Sequence, residues 1–368
     1  MTLNLLSNDD SAPSVRQPTF TIDFGAGGGG GGLLSAVGLG QTAEDPWARS
    51  LVAMTVEIGL APFVDIARLD IAADDQAPTV ALDDNGSISL GYSDSSTDLV
   101  LTATVNALDY SLRGSTRVGA GNGGALLARM RVNQSYEQQS AGAIVSDLAS
   151  SAAVDTDVVE DGVEFPFIVL DDRSTAYQHI VTLANKSGFV AYFTTEGKLY
   201  FGPFNEGQPV QTFTYGSDII SLQVRSVSPI VGSAKIVGQG AAGSEGQDAW
   251  SWLVKDPSSV TGEAGDGSQE RLVSDATLRS SEASQAAADR IAAAGQLTAV
   301  RGFIQVPGAP QVVVGSTIEI SGAPQEAANG TALVSWVSHR YDKRRGFTSV
   351  IEFNKSVGGA AGGLGGLL

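Results

Sequence analysis

The sequence predicts a mainly β protein with an α/β insert, in which two β-domains flank a small helix-and-hairpin domain. Three observations carry this. Short Val-, Ile-, Thr- and Phe-rich segments with period-two alternation recur towards both ends of the chain. Between them, from residue 119 to 222, the texture changes to helical periodicity. Third, two stretches 232 residues apart share one pattern: VLTATVNALDYSLRGSTRV from Val100 and ALVSWVSHRYDKRRGFTSV from Ala332. Leu101, Val105, Arg113, Gly114, Thr116 and Val118 recur without a gap as Leu333, Val337, Arg345, Gly346, Thr348 and Val350. Each copy alternates apolar and polar residues, breaks at Arg-Gly and resumes with Thr and a β-branched residue. That is a β-hairpin from the rim of a sheet or barrel, present twice. Chance recurrence in a Val-, Thr- and Gly-rich chain is the alternative.

The expected boundaries are a first β-domain at 1–118, a middle domain at 119–222, a second β-domain at 223–356 and a Gly-rich tail at 357–368. In the first, strands are expected at Thr19–Phe24, Leu51–Ile58, Phe63–Ile71 and Ser87–Tyr92, followed by the repeated hairpin. The run Gly25–Gly40 reads as a loop inserted between strands, because consecutive glycines pack no side chains and lose much entropy on ordering. Asn85-Gly86 is a hairpin-turn signal. In the middle domain, Ser140–Ala153 places Ile144, Val145, Leu148, Ala149 and Ala152 on one helical face. A second helix runs from an N-cap near Ser174 to Gly188, and Phe189–Gly202 forms a hairpin turned at Glu196-Gly197. In the second β-domain, Ser258–Ser268 reads as a mobile loop, and an alanine-rich helix from Ser281 to Ala294 stops at Gly295. Strands at Gly302–Val306, Thr317–Ile320, Ala332–His339 and Thr348–Phe353 complete it.

Composition narrows the function. The 368 residues allow two or three domains with real cores. The net charge is −18, with no basic stripe to neutralise phosphates, so stable nucleic-acid binding is not expected. Cysteine is absent, which removes disulfides and thiolate chemistry. MTLNLLSNDD lacks the features of a signal peptide, and no apolar run reaches the roughly 18 residues of a membrane span. Synthesis and folding in the cytoplasm, without membrane insertion, are expected.

Catalytic constellations are sparse. His179 and His339 are the two histidines, and neither has ligands at metal-binding spacing. His179 is expected beside an apolar helical stripe, and His339 as a half-exposed strand-end residue. Asp83 and Asp84 lack the ligand spacing of a calcium loop and read as a solvated turn. A GxGxxG pattern occurs at Gly27-Gly29-Gly32, Gly119-Gly121-Gly124 and Gly238-Gly240-Gly243, but none is followed by a convincing βαβ unit. Trp250 and Trp252 share a strand face, which suits either packing or a sugar-stacking platform. No catalytic, cofactor-binding or metal site is assigned, no cofactor is expected, and the chain is not expected to be an enzyme.

The closing stretch is the most specific: EASQAAADRIAAAGQLTAVRGFIQVPGAPQVVVGSTIEISGAPQEAANGTALVSWVSHRYDKRRGFTSVIEF. An Ala-rich helix precedes Gly308-Ala309-Pro310, then VVVGSTIEISG, a V-x-x-V-S-H strand at Val334–His339, and an R-G-F-T-S turn at Arg345–Ser349. With SYEQQSAGAIVSDLASSAAV (Ser135–Val154), this resembles the baseplate hub proteins of contractile phage tails, the late control protein D family. The same fold forms the N-terminal part of type VI spike proteins. The likeness is good over 135–354 and weaker over 1–118.

The resemblance implies two tube-like β-barrel domains around the middle domain, and a homotrimer. Two barrels in each of three chains give six equivalent positions for a hexameric tail tube, and a three-fold face for a trimeric spike. Implied partners are the tail tube protein, a spike protein on a separate chain, and baseplate wedge proteins. The assembled product would be a phage virion or a contractile injection particle. A channel lined by part of the trimer's formal −54 would repel DNA or acidic cargo. The Gly-rich loop and tail would contact neighbouring parts or act as linkers. The competing reading is a secreted β-rich carbohydrate-binding protein or glycoside hydrolase using Trp250 and Trp252.

Overall fold

A computed structural model describes residues 16–25, 45–72, 75, 77–111, 114–204, 207–227, 233–238, 260–265, 270–278, 280–297 and 300–355. The Gly-rich run, the tail, Trp250 and Trp252 lie outside these residues, apart from Gly25.

The first β half contains β1 (Pro18–Ile22), a short helix Pro46–Ser50, β2 (Leu51–Gly59), β3 (Ile66–Ala72), β4 (Asn85–Tyr92), β5 (Asp98–Ser111) and β6 (Ser115–Gly121). The middle unit has helices Gly124–Arg129, Ala141–Ser151 and Ala176–Ser187, with β7 (Gln134–Ser140), β8 (Thr156–Val159), β9 (Glu164–Leu170), β10 (Val190–Phe193) and β11 (Leu199–Gly202). The remainder comprises β12 (Gln211–Thr214), β13 (Ser221–Ser226), β14 (Ser233–Gly238), β15 (Thr261–Gly265), β16 (Glu270–Asp275), the helix Ser281–Leu297, β17 (Val300–Pro307), β18 (Thr317–Ser321), β19 (Gly330–Asp342) and β20 (Gly346–Lys355).

Twelve strands form one sheet. Its order is β1-β4-β5-β6-β3-β2-β19-β20-β17-β13, with β18 on the N-terminal part of β19 and β12 on β18. The two halves therefore repeat one topology. Taken in chain order, β12, β13, β17, β18, β19 and β20 occupy the places of β1 to β6. One polarity differs: β1 is antiparallel to β4, whereas β12 is parallel to β18. The halves join where β2 pairs with the C-terminal part of β19, from Gly59 opposite Trp336 to Ala53 opposite Asp342. No pair joins β1 to β2, or β12 to β13, among the described residues, so backbone pairing does not close either half into a ring.

The twice-read hairpin is β5–β6 and β19–β20. In both, the last strand pair, Ser111 with Ser115 and Asp342 with Gly346, encloses three residues. Gly114 and Gly346 have φ of 100° and 81°, a region closed to most L side chains. The ungapped residue match is nevertheless one position out of step. Counting from the turns, Ser349 stands where Val118 does, and both are buried, while Val350 is half-buried on the opposite face.

Alternation fills the shared core. Met54, Val56, Leu69 and Val118 of the first half join Ile304, Val306, Ile351 and Phe353 of the second. A second core lies in the middle unit, where Ile144, Leu148, Phe165, Tyr177 and Ile180 pack together. Ser140 Oγ accepts the Ala143 N–H at 3.1 Å and starts the first of its long helices. Thr175 and Gln178 make a capping box on the second, one residue beyond the expected Ser174, and Gly188 ends it at φ 84°.

Four sequence expectations need correction. Ile236, Leu278, Ala283, Ala287 and Ala288 belong to the middle core, so the boundary at 222/223 does not separate the packing units. β14 to β16 and the alanine-rich helix are an insert in the second half that packs on the middle unit. That helix continues through Gly295 to Leu297, and part of the expected loop 258–268 is β15. Asn85 and Gly86 do not turn; they pair with Thr104 and Ala103 inside the sheet, while Asp83, at φ 68°, lies in the preceding turn.

Candidate functional site

From β5 to β13, eight neighbouring strands expose one face. Period-two alternation and the pairing register place Asp109, Arg117, Asp70, Arg68, Glu57, Arg340, Asp342, Glu352, Arg301 and Arg225 on it. Five arginines meet five carboxylates, so this face has no net formal charge. Arg68 Nη1 donates to Glu57 Oε2 at 2.7 Å, and Arg117 Nε to Asp70 Oδ1 at 2.9 Å. The chain's acidity lies elsewhere: residues 134–172 hold nine Asp and Glu and no Lys or Arg.

Polar groups are buried where the first half meets the middle unit. Asp65, 2% exposed, accepts the Gly59 N–H at 2.9 Å and the Asn122 side-chain amide at 2.7 Å. Asn122 Oδ1 accepts the Gly124 N–H at 3.0 Å, starting the short helix. Burial drives the Asp65 carboxyl well above its ordinary range, against the smaller opposing effect of the Gly59 hydrogen bond. The Tyr177 hydroxyl donates to the Phe63 carbonyl at 3.0 Å, and burial raises it strongly. A cavity of about 220 Å³ opens nearby, lined by Ile58, Val100, Tyr192, Phe193, Val313 and Gly315. Burial pushes Tyr192 up to about 12, and its ring stacks on Tyr200 at 4.7 Å. The cavity presents hydroxyls and apolar walls, with no carboxylate or imidazole among its lining residues. Sequence reading missed Asp65; its only signal is an acid at the edge of an apolar strand.

His339 is fully buried rather than half-exposed. Its Nδ1 lies 2.9 Å from Ser349 Oγ, which also accepts the Ala309 N–H at 3.0 Å. Burial pushes the imidazole down to about 4, opposed by the Val312 carbonyl. A Ser–His contact at zero exposure offers nothing to a substrate. His179 packs beside the apolar helical stripe as expected, with Nε2 2.8 Å from the Asp171 carbonyl. Asp84 Oδ2 accepts the Ala81 N–H at 2.7 Å, which makes its carboxylate part of a turn. Gly124 opens a six-residue helix, but the next strand, β7, pairs antiparallel with β9, so no dinucleotide-binding unit forms. Gly238 ends β14; the other glycines of its motif and those of the first motif lie outside the described residues. Among the described residues no group of three or more His, Asp or Glu is disposed to hold a metal ion, and no helix is long and apolar enough to cross a membrane.

Exposed apolar side chains stand at three places around the sheet. Tyr110 on β5 is 74% exposed, above a groove of about 160 Å³ lined by Ile71, Val80 and Leu108. Ile220, just before β13, is 57% exposed, and Tyr215, just after β12, is 48% exposed.

This fold is shared with phage tail proteins. The chain is similar to a tail protein from Neisseria meningitidis, at 11% identity and a TM-score of 0.63, over 92% of this chain and 97% of that one. It is similar to the 43 kDa tail protein of prophage MuSo2 from Shewanella oneidensis, at 12% identity and 0.60, over 82% and 94%. A third likeness is to an E. coli component of the type VI secretion system that itself resembles T4 tail proteins gp27 and gp5, at 13% identity and 0.54, over 83% and 73%. No curated protein matches by sequence. Residues 88–343 match the Alg8 N-terminal domain family, and the chain belongs to that family.

Proposed function

We propose that this protein is a structural subunit of a contractile tail or injection system: a baseplate hub that adapts a six-fold tail tube to a three-fold spike as a homotrimer. One observation carries the reading. Two β halves of the same strand order lie side by side in one sheet, so a single chain offers two equivalent positions to a ring. Three chains then offer six. The two halves are the tube-like domains, and the middle unit with its insert gives each chain one further mass, and so a three-fold pattern. Tube, spike and wedge proteins are the partners, and the product is a virion or contractile particle.

The eight strands from β5 to β13 line the channel in this assembly, with the other strands and the middle unit outside. The expected acidic lining does not hold for this face, because its five arginines balance its five carboxylates. A neutral lining still avoids adhesion to a passing polyanion, since no excess of cations is present to bind phosphate. No step of this function needs catalysis.

Light scattering across a concentration series tests the proposal, with and without the neighbouring tube protein. A species of about 113 kDa, three chains of 37.8 kDa, that binds the tube protein is expected. A monomer that ignores the tube protein at every concentration overturns it.

A further inference from the structure

We infer that the groove beneath Tyr110 is the docking site of a segment of this same chain, Leu33–Leu39. The groove lies on the core side of the β5–β6 hairpin, near its turn. Two cross-strand rows make its floor, Tyr110–Thr116–Ile71 and Leu108–Val118, and residues 77–80 complete the lining. None of these side chains is charged.

The second half shows what such a face looks like when it is covered. Counted from the hairpin turns, Tyr341 and Phe347 stand where Tyr110 and Thr116 do. Tyr341 packs against Phe20 with ring centroids 5.0 Å apart, and Phe347 against Tyr92 at 5.8 Å, which leaves Phe347 5% exposed. Among the described residues no ring packs on Tyr110 in this way. It is 74% exposed, and Leu82, two residues beyond the groove residue Val80, is 57% exposed.

The 19 residues 26–44 lie outside the described ones, and the chain on either side of them is anchored at this groove. Gly25 packs on Thr79, a groove residue: a Cβ at Gly25 would stand 2.2 Å from the Thr79 carbonyl oxygen. At the other end Asp45 caps the helix Pro46–Ser50, and Leu51, which follows it, pairs with Ile71 in the groove floor. Between these anchors the chain reads AGGGGGGLLSAVGLGQTAE, uncharged up to Glu44. Its large apolar side chains are Leu33, Leu34, Val37 and Leu39. Gly27–Gly32 serve as a spacer, since the eight residues from Gly25 to Leu33 can span up to about 29 Å from the groove's own edge. A segment tethered at both ends meets the groove at high effective concentration, so burial of a few apolar side chains is enough to hold it. An outside partner would first have to offset the loss of its own translational freedom.

The absence of cysteine allows a clean test. Full-length chains carrying Tyr110→Cys with Leu33→Cys, Leu34→Cys, Val37→Cys or Leu39→Cys are oxidised in dilute solution and run without reductant. At least one pair should close within a single chain, joining the tryptic peptides 17–49 and 69–113. The control is Asp109→Cys with the same four partners. Asp109 is exposed and next in sequence, but it points to the opposite face of the sheet, so only an undocked segment would reach both positions alike. A second measurement follows the reaction of Tyr110→Cys alone with a maleimide. It should run on the order of 10-fold faster once Leu33, Leu34, Val37 and Leu39 are all replaced by Ser, while the reaction of Asp109→Cys stays unchanged. Equal crosslinking at the two positions, or none at Tyr110→Cys together with an unchanged maleimide rate, overturns the inference. Covalent dimers through Tyr110→Cys in place of the intrachain product also overturn it, and assign the groove to a second copy.

Discussion

The Asp65 carboxyl and the Asn122 side-chain amide meet at 2.7 Å in the interior, where the last turn of the first β half becomes the middle unit. Asn122 N–H also donates to the Asp65 carbonyl at 3.2 Å, so one pair of residues ties the start of β3 to the end of β6. Below its ordinary pKa of 3.8, Asp65 is neutral in both folded and unfolded chains. Above it, the folded chain holds a proton that the unfolded chain releases, and stability falls as pH rises through the raised folded value. Asp65→Asn removes this slope. It also places an amide N–H among donors, at a cost of about 1–3 kcal/mol at low pH. Urea melts of both proteins from pH 4 upward measure it: the gap should narrow as pH rises.

His339 slopes the other way. Its folded pKa, about 4, lies below the ordinary 6.5, so between these values the unfolded chain binds a proton that the folded chain refuses. Its contribution is complete above pH 6.5 and is lost as pH falls, by on the order of 3 kcal/mol. His339→Leu should flatten this acid limb in a pH series of thermal melts.

Ser349→Val leaves the Ala309 N–H and His339 Nδ1 without their hydroxyl and should cost about 2–4 kcal/mol. The double change with His339→Leu recreates the Leu108 and Val118 arrangement of the other half. It should be less destabilised than the two single changes added together, a coupling that a double-mutant cycle in urea reads directly.

Lys186 joins Asp275 and donates to Thr277 Oγ1 at 2.7 Å, tying a middle-unit helix to the inserted strands. Burial alone would raise Asp275, but its bonds to Lys186 and Thr277 prevail and hold it low. Lys186→Met should destabilise by about 1–3 kcal/mol at neutral pH. Limited proteolysis should then cut within 233–278 before it cuts the main sheet.

Arg117→Ala removes an ion pair whose side chains are 60% and 44% exposed. Stability should be almost unchanged, because solvent screens such exposed pairs. A larger loss in a chemical melt would show that this face contributes to the fold itself.

Much of the fold was legible because it is written locally. Alternation located the main strands, Gly188 stopped its helix, and the paired Arg-Gly motifs marked two equivalent hairpins. What stayed hidden depends on partners distant in sequence. Nothing near Met54 announces that its strand will pair with Tyr341, and nothing in the alanine-rich helix says that Ala287 packs against the middle unit. The same applies to His339: alternation puts it in a strand, but only the neighbouring Ser349 lets an imidazole sit in the core. Asn85-Gly86 misled for a related reason, since its local turn preference was overridden by pairing with Thr104 and Ala103.

The seam between β2 and β19 lies within one polypeptide. It forms in a unimolecular step, at an effective concentration set by the intervening chain, and dilution cannot open it. Any seam between chains answers to mass action instead. In a closed ring of such chains, alternate seams would obey different laws. Half would be permanent from the moment of folding, and the other half would remain adjustable by concentration, salt or a docking partner.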